Sequence, residues 1–481
     1  MNPKTLNIRM PIVSSALVLA LLANPTWGQT DIVLSETWVP GSHEVINCRG
    51  GTIRPAVPAS VDNGVAIPSM PDTLIYLKDV TGVKIRNCVL EDATFGIFAV
   101  GGGNHSIGDN LIDAASTAVG LLASNYNSVT NNSLTATVSS VAVSNGATAN
   151  LILGNELTFK PGPDQRFAPG VPVLAGYQYQ LITGSNPIGG VVNIIVNGEL
   201  KQVPATVDNF AENTLVLQNV VNNDGGTIGI GFAVRSLGSK ATDNTVSGGF
   251  VGLLAAGYQD GFPGPFTLPG TCSANVGRYC ATDADCNLPE FDLVPLGTCE
   301  GATELLSESR RVIAPEFVNN TVSEAFIGID SLWTEDFRIA ENDFKNNCVG
   351  IELIGYSLEK GEVTGNIVAS NAQCGFPVGP NIGLALVDLF TQSAAVDVSY
   401  NDFGGSTIPF DAFQFDPIIG FGPYVLPTEL PNNWWGVDCS DDGFPDSFLW
   451  PNTSDPTPFA EPVAEAYRIN ENKTRRKDRC W

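Results

Sequence analysis

Residues 107–157 read IGDNLIDAASTAVGLLASNYNSVTNNSLTATVSSVAVSNGATANLILGNEL, and one six-residue phrase recurs through them. Its form is apolar, any, any, Asn, any, apolar: Ile107 to Ile112 around Asn110, Val129 to Leu134 around Asn132, and Ile152 to Leu157 around Asn155. Upstream, Ile85 to Leu90 keeps the form with Cys88 in the Asn slot, so these slots stand 22, 22 and 23 residues apart. Later matches centre on Asn219, Asn244, Asn320, Asn342, Asn366 and Asn401. After each slot comes a second apolar run, often holding Gly, as in Phe95 to Val100, Val119 to Ala123, Val251 to Ala255, Ile327 to Ile329 and Val349 to Leu353.

A repeat of this length with short strands and no helical spacing is the mark of a solenoid. A single coil has nothing against which to bury its apolar side; coils stacked at about 4.8 Å pair their backbones and close a continuous core. The slot then has a physical reason, because an amide both donates and accepts and can bond its copies up the column. The expected fold is all-β: a right-handed single-stranded parallel β-helix over 29–425, with two interruptions and a C-terminal cap over 426–481. The first interruption, about 158–212, holds Pro161, Pro163, Pro169 and Pro172, then Val191 to Val196 followed by the turn pair Asn197-Gly198, and reads as a lateral β excursion. The second, about 257–312, holds Cys272, Cys280, Cys286 and Cys299 among Pro and Gly and reads as a disulfide-stapled loop.

Lys4 and Arg9 precede an apolar run from Ile12 to Ala23 that ends in small residues, so residues 1–28 read as a cleaved export signal. Ten cysteines in an exported chain point to disulfides rather than metal thiolates: Cys48, Cys88, Cys272, Cys280, Cys286, Cys299, Cys348, Cys374, Cys439 and Cys480. Loss of Lys4 and Arg9 takes the formal charge from −26 to −28. Such a surface repels nucleic acid, anionic lipid and polyanions, which leaves neutral polysaccharides, cell-surface glycans and Ca²⁺ as expected partners. No later apolar run is long enough to suggest a membrane span.

The stretch Ile46, Asn47, Cys48, Arg49, Gly50, Gly51, Thr52, Ile53, followed by Val83 to Cys88, resembles the opening coils of the pectin-lyase-like β-helix superfamily, in particular its carbohydrate-binding and sugar-hydrolase repeat branch. Asn432, Asn433, Trp434, Trp435 and Gly436 resemble the closing segment that follows such repeats. The resemblance implies the fold over roughly 31–436 and a polysaccharide as partner. It does not bring a known active site. The Asn-Thr-Asp and Gly-His-Gly of polygalacturonases, the Arg-x-Pro-x-x-Arg of pectate lyases and the Asp-Pro-His of alginate epimerases are absent. His43 and His105 are the only histidines, both read as turn or surface residues, and with Met70 they make a poor copper site.

Two constellations carry chemistry. If Asn320, Asn342 and Asn366 mark successive coils, Asp330 and Glu352 occupy equivalent positions one rung apart, with Trp333, Tyr356 and Asp388 on the same face. Stacked carboxylates must splay into water, share a proton or hold a cation. With aromatic faces beside them they suit a neutral sugar, Asp330 and Glu352 as general acid and base and Trp333, Tyr356 and Asp388 as substrate contacts. The same residues also suit a solvated acidic ladder whose aromatics cover a seam. The second constellation is Asp438, Ser440, Asp442, the carbonyl of Phe444 and Asp446, with Gly443 for the sharp turn, which resembles the short calcium loops of thrombospondin-type repeats. The alternative there is an acidic turn braced by Cys439. The basic end, Arg475, Arg476, Lys477 and Arg479, precedes Cys480, for which Cys439 is a candidate partner. The function expected is that of a secreted protein that binds, and as an enzyme would hydrolyse or cleave, a polysaccharide. The competing class is a non-enzymatic adhesin-like solenoid that contacts other proteins.

Overall fold

The computed structural model describes residues 31–56, 60–62, 65–67, 73–160, 179–183, 191–197, 199–204, 210–233, 235–257, 267–268, 270–272, 275–280, 299–300, 303–304, 312–332, 334–354, 361–369, 382–388, 396–406, 408–416, 420–423 and 433. No helix occurs among them; the chain runs as short strands. One coil shows the plan. Leu215–Leu217 lies in an 11-stranded sheet, Val220–Asn222 and Ile228–Phe232 lie in a 21-stranded sheet, and Ser236–Leu237 lies in a 4-stranded one. Lys240–Thr242 then returns to pair in parallel with Leu215–Leu217. Strand after strand stacks in this way, with one antiparallel exception in the large sheet, Gly420–Pro423 against Ile408–Asp416. Parallel strands joined by crossovers wind right-handed. The chain is a right-handed, single-stranded parallel β-helix.

Register follows from the apolar pattern. Ile46, Ile85, Ile107, Val129, Ile152, Val216, Ala241, Phe317, Ile339, Val363 and Val398 are successive partners up the 11-stranded sheet. All point inward and are buried, and they belong to one continuous core with Leu134, Val221, Val246, Val322 and Phe344 of the facing wall. Burying each such side chain is worth about 1.5–3 kcal/mol, so a slip by one residue, which turns every inward side chain out, is excluded.

The Asn slots form the corner between the two sheets. In each, the backbone N–H and Nδ2 donate to Oδ1 of the next Asn; Asn110 does so to Asn132 at 3.0 Å and Asn132 to Asn155 at 2.9 Å. The same Nδ2 also donates to a carbonyl of the coil below, three residues before its slot, Ile85 for Asn110 and Ile107 for Asn132. The column passes unbroken through Asn219, Asn244, Asn320, Asn342, Asn366 and Asn401 to Asn433. Cys88 enters it from the other end, its N–H donating to Asn110 Oδ1 at 3.1 Å. The residue before each slot makes the bend: Asn87, Asp109, Asn131, Gln218, Asp243, Asn319, Glu341 and Tyr400 all have φ between 53° and 61°, and Gly154 and Gly365 have φ 65° and 67°. The ladder holds non-glycine residues in a conformation they adopt at a cost.

A disulfide joins Cys48 to Cys88, adjacent coils with Cα atoms 4.8 Å apart, and Cys348 is also disulfide-bonded. Cys286, Cys374, Cys439 and Cys480 lie outside the described residues, as do the export signal, Trp434, Trp435 and the acidic 438–446 loop. Two features differ from the sequence reading. Within 158–212 the coil resumes, because Tyr179–Thr183 pairs in parallel with Ser139–Ser144 below and Ile228–Phe232 above. Its apolar strand was hidden between proline-rich and glycine-rich flanks. The hairpin Val191–Val196 with Glu199–Pro204 then folds back over the outside of the first coils: Asn197 Oδ1 accepts from Thr37 N–H at 2.7 Å, and Val196 packs with Tyr76, Phe95, Phe98 and Leu122. The second difference is His105, which is buried, whereas His43 sits in an exposed turn. His105 heads a shorter polar column: its Nδ1 accepts from Val83 N–H at 3.2 Å and its N–H donates to Asn127 Oδ1 at 2.9 Å, above which Asn127 bonds Asn150. Burial pushes its pKa down to about 4, so it stays neutral.

Candidate functional site

Along the outward-facing side of the large sheet one column runs Ile182, Gly231, Leu254, Asp330, Glu352, Ala385, Asp411. Alternation along the end of this strand, Ile329 to Leu332, explains the direction. Ile329 points into the core, so Asp330 points out, and Ile351 and Leu353 fix Glu352 in the same way. The two acids are direct cross-strand partners, one rung, about 4.8 Å, apart.

Their surroundings are apolar. Ile182, Ile228, Val251, Leu254 and Ile327 form a buried outer cluster against which Leu332, Val349 and Phe326 pack. Asp330 is 7% exposed, and its Oδ1 is buried without a hydrogen-bond partner. Burial, and then the charge of Glu352, raise the Asp330 pKa well above the carboxylate range; burial raises that of Glu352 to about 7. Two acids this close in an apolar wall do not both ionise at neutral pH, so the pair holds a proton between them. At least one of the two carboxyls is therefore protonated at neutral pH.

One long connection leaves the coil just after the strand beneath Asp330. The strand beneath Asp330 ends at Ala256, and the coil resumes only at Val312–Ile313. Between them, Gly270–Cys272 pairs antiparallel with Asn275–Cys280 and with Cys299–Glu300, which sets Cys272 opposite Cys299. Rigid walls bearing long connections are where binding sites arise.

Of the other residues expected here, Trp333 and Tyr356 lie outside the described set. Asp388 is the last residue of its strand, in register with Gln414. Ala385, not Asp388, continues the acidic column, because the coil holding Asp388 is longer than the two below and moves the rung-equivalent position. Among the described residues, no group of three or more metal-binding side chains occurs, and no helix is long and apolar enough to cross a membrane.

No protein-family profile matches the chain, and no curated protein matches it. Solved structures that wind alike include PfbA, a surface adhesin of Streptococcus pneumoniae, 10% identical over 82% of this chain and 85% of its own, with a TM-score of 0.44. The periplasmic alginate epimerase AlgG is 8% identical over 77% of this chain and 66% of its own, with a TM-score of 0.33. DFA-IIIase of Arthrobacter chlorophenolicus is 10% identical over 76% and 81%, with a TM-score of 0.34. Likeness at this level brings none of their site residues or roles to this chain.

Proposed function

We propose that this chain is an exported β-helix protein that binds and cleaves a neutral polysaccharide on the outer face of its large sheet, with Asp330 and Glu352 as the acid and base pair. The observation that carries the reading is their juxtaposition: two partner carboxyls in an apolar wall, one of them poised to about 7. A general acid must be protonated and a base ionised at the working pH, and shared burial provides both from two like residues. The rung spacing of about 4.8 Å lies near the ~5–5.5 Å carboxyl separation of retaining glycosidases and short of the ~6.5–9.5 Å that leaves room for a water. Asp330, which keeps its proton to higher pH, then protonates the glycosidic oxygen, while Glu352, the more accessible and more readily ionised group, faces the anomeric carbon. The formal charge of −26 sets the substrate class, since a uronate or sulfated chain would be repelled. Ca²⁺ held by Asp438, Ser440, Asp442, Phe444 and Asp446 stabilises the C-terminal cap in this reading.

The test uses a panel of neutral polysaccharides with reducing-end detection. Asp330→Asn and Glu352→Gln each lower turnover by at least 10²-fold while keeping the β-rich circular dichroism spectrum. Undiminished turnover in both variants removes the pair from catalysis. A second reading, a non-enzymatic surface solenoid, is favoured by the depth of Asp330, 7% exposed; it predicts retention on a glycan or protein surface with no product from any substrate.

A further inference from the structure

A groove of about 660 Å³ opens where three successive coils turn from the first to the second strand of the large sheet. Its walls are Asp224, Phe250, Glu324 and Phe326, with Asn222 and Ser247 at one end. We infer that this groove is a second saccharide site, which anchors a neutral oligosaccharide chain away from the Asp330 and Glu352 pair. The inference rests on the glycan reading above and deepens it.

Three observations point the same way. Phe250 and Phe326 stack face to face, centroids 5.1 Å apart and planes 13° apart, yet Phe250 remains 48% exposed. A phenyl ring held rigid from behind and open in front is a platform for the C–H face of a pyranose. Asp224 and Glu324, both exposed, flank it and accept hydrogen bonds from hydroxyls while turning away acidic sugars. Under the floor lies Asn223, fully buried, with neither Oδ1 nor Nδ2 hydrogen-bonded. A Cβ on Gly226 would meet its Oδ1 at 2.1 Å, and one on Gly249 its Nδ2 at 2.1 Å. The two glycines thus leave only bare backbone between that amide and the groove. A side chain at either position would clash with that amide, so the floor stays open to a sugar ring. The volume falls within the ~300–1,000 Å³ of ligand sites.

The groove also stands in line with the pair. Phe326 stands immediately before the strand Ile327–Leu332, on which Ile327 and Asp330 are about 10 Å apart. A chain stacked on Phe250 and laid along the strand reaches Asp330 within a few sugar rings, so the anchor favours polymer over short substrate.

Calorimetry with cellohexaose, laminarihexaose, mannohexaose and chitosan hexamer tests the inference, performed on the full chain in the Glu352→Gln background so that no turnover intervenes. At least one neutral hexaose binds, and Phe250→Ala and Glu324→Gln each weaken it at least tenfold with unchanged circular dichroism. Binding of chitosan alone would make the groove a cation site and overturn the proposal, as would neutral binding that Phe250→Ala leaves unchanged, or no binding at all. If a hexaose binds here although no polysaccharide is ever cleaved, the catalytic reading fails and the groove stands. If a polysaccharide is cleaved and the groove binds none, the reverse holds.

Discussion

Asn132 accepts two hydrogen bonds from Asn110 and donates to Asn155 and to the carbonyl of Ile107, all in a dry corner. Truncation to Ala strands those partners, and at about 1–3 kcal/mol for each group left unpaired urea denaturation of Asn132→Ala shows a loss of roughly 3 kcal/mol or more. An unchanged midpoint would mean that the ladder decorates the corner instead of holding it. The acids act in the opposite sense. Asp330 and Glu352 have folded pKa values raised above the unfolded ones, so above about pH 4 the unfolded chain holds fewer protons than the native one and stability falls as pH climbs toward 7. Asp330→Asn therefore flattens the pH dependence of the melting temperature between about pH 5 and 8 and raises its value at pH 8. His105, lowered to about 4, gives the opposite slope between about pH 4 and 6.5, and it is present in both proteins, so it cancels in the comparison. The slots were legible because an amide in a fixed place of a fixed period has few other uses. His105 carries no such signal, because a lone histidine has no period, and only Asn127 one coil up and Asn150 two coils up reveal the second column.

At the scale of the strand, the phrase around each slot contained both the inward residues and the corner, and the structure places Ile107, Val129 and Ile152 in register as that spacing demands. The glycines of the second run have a cause that the sequence did not disclose. At Gly328 an added Cβ would lie 2.5 Å from the Gly350 carbonyl and 2.7 Å from Phe344 of the preceding strand in the next coil, and Gly252 meets Val322 in the same way. The lumen is too thin there for any side chain. Gly328→Val overpacks the core and costs about 1–3 kcal/mol or more, read as a lowered urea midpoint; wild-type stability would refute a close-packed lumen. Asp330 and Glu352 were placed together by counting from Asn320 and Asn342, and register is a property that counting captures while no coil is lengthened. Asp388 stands three residues past Ala385, the partner of Glu352, because extra residues follow Asn366 before the strand resumes at Ile382. The Phe250 groove went unseen because it is assembled from turns, and the only signal was a glycine pair just before the strand in two successive coils, Gly225-Gly226 and Gly248-Gly249.

For the whole molecule, the coil converts a distance of two dozen residues along the chain into one rung in space, and the functional reading depends on that conversion. The apolar lumen fixes which way each side chain points; the Asn column fixes the height of each rung; the outer face is then free to carry two acids where Leu254 and Ala385 would continue an inert wall. Carboxyl-carbon NMR of selectively labelled protein measures the consequence most directly. The pair predicts that the Glu352 resonance titrates near pH 7 and that Asp330 stays protonated well above the ordinary carboxylate range. Both resonances moving together near pH 4, as exposed side chains do, would contradict it.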